Sequence, residues 1–162
     1  MITLALDCST QTIGLSILEE EKSLADVYLC PAQNHSSVLL PAMENLLKWT
    51  GIPIEEVDLF ACTVGPGSFT GIRIGVSTMK GLALATGKPL EGVSTLEALA
   101  VNGSSATGLI SPLLDAGREQ VYAGLYRMRS CCVPENIIPD CMADIGEWMQ
   151  CLPSEEVDLI GD

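Results

Sequence analysis

The run Gly65-Pro66-Gly67-Ser68-Phe69-Thr70-Gly71-Ile72-Arg73-Ile74-Gly75 is the stretch of this chain whose residue types and spacing best suit chemistry. It follows a strand-like pattern and opens a helical one. Such a turn offers backbone N–H groups at a helix N-terminus, which favours anions. Two familiar phosphate motifs are excluded. A P-loop needs a Lys-Ser/Thr pair after its glycines, and none stands here. The dinucleotide fingerprint would need glycine at position 70, which is Thr70. The competing role is a tight turn into a closely packed helix, with glycine serving backbone geometry.

Two polar turns are the other candidates: Asp7-Cys8-Ser9-Thr10 and Asp115-Ala116-Gly117-Arg118. In the actin, Hsp70 and sugar-kinase superfamily, paired hairpin turns of this kind grip nucleotide phosphates, and a glycine lets the backbone come close. Ser9 stands where that glycine would be in the first turn, whereas Gly117 is kept in the second. One loop is therefore degraded, and ATP hydrolysis by this chain alone is not expected. Asp is also common in ordinary turns. Nucleophilic catalysis has only His35 to draw on, because the chain holds one histidine. HExxH is absent. The seven cysteines, Cys8, Cys30, Cys62, Cys131, Cys132, Cys141 and Cys151, show no CxxC spacing. They read as reduced thiols, and no metal and no cofactor are expected.

Charge narrows the partners. The formal net charge is −13, with only eight Lys and Arg residues in the chain. Of these, only Arg118, Arg127 and Arg129 cluster in sequence, too few to neutralise phosphates along one face. The chain alone is expected to be a poor nucleic-acid binder, and an acidic surface suits solubility or a basic partner. No apolar run reaches a membrane span, and the N-terminus lacks the basic and apolar regions of a signal peptide, so a cytoplasmic protein is expected.

The elements that must position these turns follow from periodicity. Alternation predicts strands over 2–7, 12–18 and 24–29, with Ile2, Leu4, Leu6, Ile13, Leu15 and Ile17 facing a core. A helix over 37–50, a strand over 57–64, a helix over 70–86 and a strand over 90–93 come next. Ser94-Thr95-Leu96-Glu97 reads as a capping box and Asn102-Gly103 as a stop, which bounds a helix over 95–102. Strands over 109–114 and 121–128 then flank the second Asp turn. Residues 131–141 read as loop or edge strand, 142–151 as a short helix and 156–160 as a strand. Strands followed by β-α alternation imply an α/β fold, a mixed sheet with helices on its faces.

Gly103-Ser104-Ser105 suggests a boundary, giving lobes over 1–103 and 104–162. The strand–Asp-turn–strand pattern at Asp7 recurs 108 residues on, at Asp115. It reads either as an internal duplication or as two ordinary hairpins. The second lobe looks incomplete beside the first.

Both long helices are apolar over more of their surface than one sheet can cover. Val38, Leu39, Leu40, Ala42, Met43, Leu46, Leu47 and Trp49 span roughly 200° of arc, where a single sheet needs little more than about 100°. The next helix is apolar nearly all round, with Arg73 and Lys80 on one stripe. Surplus apolar surface implies either an interface or a third layer. The expected interface residues are Leu39, Leu40, Met43 and Leu47, with Ile72, Arg73, Gly75, Val76, Met79 and Ala83.

These residues carry a family resemblance. Leu4-Ala5-Leu6-Asp7-Cys8-Ser9-Thr10, His35-Ser36 before Leu39-Leu40-Pro41, the run Gly65–Gly75, and Asp115-Ala116-Gly117-Arg118 before Val121-Tyr122 resemble the bacterial TsaB (YeaZ) family. Gly117-Arg118 stands where that family more often has Arg-Arg. The resemblance implies an actin-like ATPase fold of two lobes without ATPase competence. It implies a homodimer exchangeable for a heterodimer with the catalytic paralogue TsaD, through the helices over 37–50 and 70–86. With the TsaE ATPase and TsaC, that set adds threonylcarbamoyl to the adenosine beside the tRNA anticodon. The alternatives are an ATP-dependent phosphotransferase of the same superfamily and, from older family labels, a glycoprotease-like peptidase.

Overall fold

The computed structural model describes residues 1–30, 35–103, 108–128 and 133–161, with the side chain of His35 outside that description. The chain divides into two compact units, Met1–Val93 and Ser94–Asp162.

In the first unit, β1 (Ile2–Asp7), β2 (Ile13–Glu19) and β3 (Lys22–Leu29) form the antiparallel meander that their alternation predicts. Leu4, Leu6, Ile13, Leu15 and Ile17 all point to one face and are buried there. Helix α1 (His35–Thr50) leads through a short 3-10 turn, Ile54–Glu56, to β4 (Leu59–Thr63), parallel to β1. Helix α2 (Phe69–Thr86) ends on Gly87 in the left-handed region and leads to β5 (Leu90–Val93), parallel to β4. The sheet order is β3-β2-β1-β4-β5. Both helices lie on the face carrying Leu4, Leu6, Phe60 and Cys62, and form one core with it. Pro41 is inside α1 and exposed. The helix begins at His35, two residues before the expected start, so this proline stands past the first turn, where it removes one i→i−4 bond.

The second unit begins with α3 (Thr95–Asn102), then β6 (Gly108–Gly117), β7 (Gln120–Met128), β8 (Pro134–Asp144), α4 (Ile145–Cys151) and β9 (Val157–Gly161). Its sheet order is β8-β7-β6-β9. The boundary therefore falls at Val93/Ser94 and not after Gly103. Leu96 and Ala100 of α3 are fully buried against Ile110, Leu114, Tyr126 and Met128 of β6 and β7, so α3 belongs to the core that follows it. Ser94 caps α3 as its spacing predicts, its hydroxyl accepting from Leu96 N at 3.2 Å and Glu97 N at 3.4 Å. It also donates to Asp140 of β8 at 2.5 Å. The segment left open between loop and edge strand is an edge strand, β8. Pro134 is its first residue, and Pro139 lies where bulges interrupt the ladder to β7. Both are positions where a missing N–H costs little. Ser104, Ser105, Arg129, Cys131 and Cys132 lie outside the described residues.

The duplication is expressed in the topology. In each unit the first strand pairs antiparallel with the second, and the second antiparallel with the third. A helix then leads to a fourth strand parallel to the first. No helix among the described residues is long and apolar enough to cross a membrane.

Candidate functional site

Glycines bring the first Asp turn and the Gly65–Gly75 run together. Ser68 N donates to Ser9 O at 2.6 Å. Gly67 has φ 146°, and a Cβ there would stand 2.3 Å from Ser9 O. A Cβ on Gly71 would stand 2.1 Å from Cys8 O, and one on Gly75 3.3 Å from Cys8 Cβ. The spacing of these glycines at four residues is one helical face. That face lets α2 and its entry turn lie directly on the end of β1.

Several of the N–H donors of the two turns are already bonded within the chain, Ser68 N among them. Asp7 Oδ1 accepts from Ser9 N at 3.0 Å and from Thr63 Oγ1 at 2.6 Å. Thr12 N donates to Thr10 Oγ1 at 3.2 Å, and Gly71 N to the capping Ser68 Oγ at 3.3 Å. The approach of Ser9 O and Cys8 O to Gly67 and Gly71 leaves no room for a Cβ, so close packing explains these glycines. Burial pushes the Cys8 thiol up to about 12 and raises Cys62 as well, which leaves both poor nucleophiles at neutral pH. Ser9 is buried and its hydroxyl has no hydrogen-bond partner among the described residues. Ser9→Ala keeps the Cβ and removes that hydroxyl, so it is expected to raise stability by about 1 kcal/mol in urea unfolding. A loss of stability would show that the hydroxyl is bonded after all.

The second Asp turn repeats the first in its own hairpin. Gly117 N donates to Asp115 Oδ1 at 2.7 Å, the same bond to the second residue on that Asp7 makes. Gly117, Arg118 and Glu119 all have positive φ, at 76°, 59° and 64°. Arg118 is exposed. Among the described residues no group of three or more His, Cys, Asp and Glu could hold a metal ion.

The interface residues expected from the sequence separate into two sets. Leu39, Met43, Gly75, Met79 and Ala83 are buried in the first unit's own core, where no partner reaches them while the fold is intact. This corrects the expectation that these five form an outer face: the side that packs on the sheet is the side they occupy. Leu47, Ile72 and Val76 are half-buried at its margin. Leu40, 55% exposed, and Arg73 face outward. The residues missed are Phe69 (68% exposed), Leu84 (86%) and Lys80, on the outer stripe of α2, and Trp49 on α1. At 100° per residue, Phe69, Lys80, Arg73 and Leu84 fall within roughly 60° of arc. That shared arc, opposite Gly71 and Gly75, was the available signal. The Arg73 guanidinium lies over the Phe69 ring, 3.8 Å from its centroid.

The family described as TsaD, tRNA N6-adenosine threonylcarbamoyltransferase, matches residues 30–158. The chain is 37% identical over 156 residues to the tRNA threonylcarbamoyladenosine biosynthesis protein TsaB of Bacillus subtilis, covering 96% of this chain and 68% of that one. Against TsaB of Escherichia coli it is 33% identical, covering 78% of this chain and 55% of that one. It is also 30% identical to the tRNA N6-adenosine threonylcarbamoyltransferase of Thermococcus gammatolerans, covering 79% of this chain and 45% of that one. A Pseudomonas aeruginosa crystal structure described as similar to peptidase YeaZ superposes with a TM-score of 0.88 at 28% identity, over 99% of this chain and 74% of that one. A ROK hexokinase from Thermus thermophilus shares the fold, with a TM-score of 0.52 at 17% identity over 85% of this chain and 48% of that one. The duplicated, actin-like topology, the breadth of the family match and the identity to the Bacillus protein agree: the chain belongs to the TsaB (YeaZ) family of tRNA threonylcarbamoyladenosine biosynthesis proteins.

Proposed function

We propose that this chain is a non-catalytic docking subunit in the assembly that adds threonylcarbamoyl to the adenosine beside the tRNA anticodon. Its partner is a TsaD-like catalytic paralogue, met across the outer stripe of α2 with the exposed side of α1 beside it. A homodimer is the form this heterodimer displaces, a TsaE-like ATPase joins the same assembly, and tRNA is reached only through the complex. The setting is the cytoplasm.

The observation that carries this reading is the exposure of Phe69 and Leu84 on one stripe of a helix whose opposite side is fully packed. Covering an exposed Phe or Leu side chain is worth about 1.5–3 kcal/mol each, which gives the stripe a reason to be covered. The Ser9 N and Ser68 N donors, already bonded to Asp7 Oδ1 and Ser9 O, support the non-catalytic part. Leu84→Asp tests it. An exposed position tolerates the change to within about 0.5 kcal/mol of stability. Loss of one anchor weakens capture of the TsaD-like paralogue by about 2 kcal/mol, roughly thirtyfold in Kd. Titration calorimetry with the purified paralogue reads it, and an unchanged Kd defeats the proposal.

A second reading, ATP-dependent phosphotransfer, rests on the matching bonds inside the two Asp turns. Micromolar binding of Mg-ATP to the isolated chain, lost in Asp7→Ala, would favour it over docking alone.

A further inference from the structure

Two exposed cysteines lie where helix α4 folds back on the second sheet. Cys141 is on β8, paired with Ala123 of β7. Paired strand residues share a face, and Ala123 is fully buried in one cluster with Trp148 of α4. Cys141 is therefore on the face that α4 covers, as is Ala143 two residues on, which packs on the same cluster. Cys151 is the last residue of α4, three after Trp148. At 100° per residue it lies about 60° from Trp148, on the side of the helix turned to the sheet.

Lengths bring the two thiols level. The strand from Cys141 to Asp144, the cap of α4, is about 10 Å long. The helix from Ile145 to Cys151 runs about 9 Å. Trp148 packs beside Ala123, the neighbour of Cys141, so α4 returns over the strand it has just left and its last residue comes back to the level of Cys141. Desolvation first, and next the neighbouring Cys151 and Asp140, raise the Cys141 thiol above its ordinary value. Cys8 and Cys62 are also neighbours, but both are buried, away from any reagent in solution.

We propose that Cys141 and Cys151 form a reversible dithiol–disulfide pair, closed by a low-molecular-weight disulfide, that fastens the end of α4 to β8. The Cys151 thiolate attacks one sulfur of the oxidant, breaks its S–S bond and releases one small thiol. The Cys141 thiolate then attacks the Cys151 sulfur of this mixed disulfide and releases the second. Each cysteine gives up one proton, the two small thiols take them, and the two electrons that the cysteines lose reduce the oxidant. Cys151 attacks first, because the surroundings of Cys141 keep that thiol protonated. In a reducing compartment the pair rests open. A helix as short as α4 is marginal by itself. Trp148 anchors it, with Nε1 donating to Ser111 Oγ at 3.0 Å, and the disulfide ties down the end that Trp148 leaves free.

Incubation of the folded whole chain with oxidised glutathione tests this. Cleavage at acidic residues separates the thiols, because Glu135 lies between Cys132 and Cys141, and Glu147 between Cys141 and Cys151. Mass spectrometry is expected to find Cys141 joined to Cys151 within one chain, about tenfold or more in excess of glutathione adducts on either, since the second thiol acts at a high effective concentration. Cys141→Ser, at an exposed position, should instead keep one glutathione on Cys151. Stable adducts on both cysteines of the wild type, or a bond from either to another cysteine or another chain, overturns the proposal. Hydrogen exchange reads the fastening. The amides of residues 148–151 should exchange about tenfold more slowly in the oxidised chain, and dithiothreitol should restore the faster rate. Equal rates in the two states overturn it as well.

Discussion

Met79→Asp is expected to abolish the cooperative thermal transition of the first unit. Met79 is fully buried on the inner side of α2, in the core with Leu4, Leu6, Phe60 and Cys62. Truncating a buried methionine costs about 2–5 kcal/mol by itself. Leaving an unpaired carboxylate in that core adds several more, about as much as breaking a buried ion pair. The sum is comparable with the whole stability of an ordinary domain, about 5–15 kcal/mol. Circular dichroism on heating is the measurement, and a native-like melt would show that Met79 is not in the core. Five residues along the same helix, Leu84→Asp should leave that melt almost untouched and act only on association. The same substitution chemistry thus separates the two sides of one helix.

Gly71→Ala should destabilise the protein by about 3 kcal/mol, against the ordinary preference of helices for alanine. The added methyl would stand 2.1 Å from the carbonyl oxygen of Cys8, a backbone atom that cannot rotate away. Either α2 lifts off β1 or the Asp7 turn moves, and the Ser68 N to Ser9 O bond goes with it. Gly81 provides the control. It is exposed on the same helix, and a methyl added there would have nothing within 4 Å among the described residues. Gly81→Ala should stabilise by about 0.5–1 kcal/mol. Urea unfolding of the pair gives opposite signs, whereas two stabilised variants would mean that α2 does not rest on β1 as described.

Much of this was legible in the chain. Strand alternation from Ile2 to Ile17, the Ser94 cap and the recurrence of the Asp turn are all local patterns, and each appears where its spacing places it. The exclusion of a P-loop also follows from residue types alone. The role of the glycines in the Gly65–Gly75 run was open. A glycine permits both anion contact and close backbone approach, and only the position of Cys8 O and Ser9 O decides for the second.

The sequence by itself determined the order of strands and helices, the two Asp-turn hairpins and the excess of apolar surface on α1 and α2, because each depends on neighbours a few residues apart; whether the hairpins are a duplication was decided by the matching sheet topology. Tertiary structure alone decided that α3 joins the second unit, and that Met79 and Gly75 face inward while Phe69 and Leu84 face out. A helix apolar on nearly every side has no preferred inner face of its own. The close approach that Gly71 and Gly75 allow to β1 selects which side meets the sheet, and the opposite stripe is what remains for another molecule.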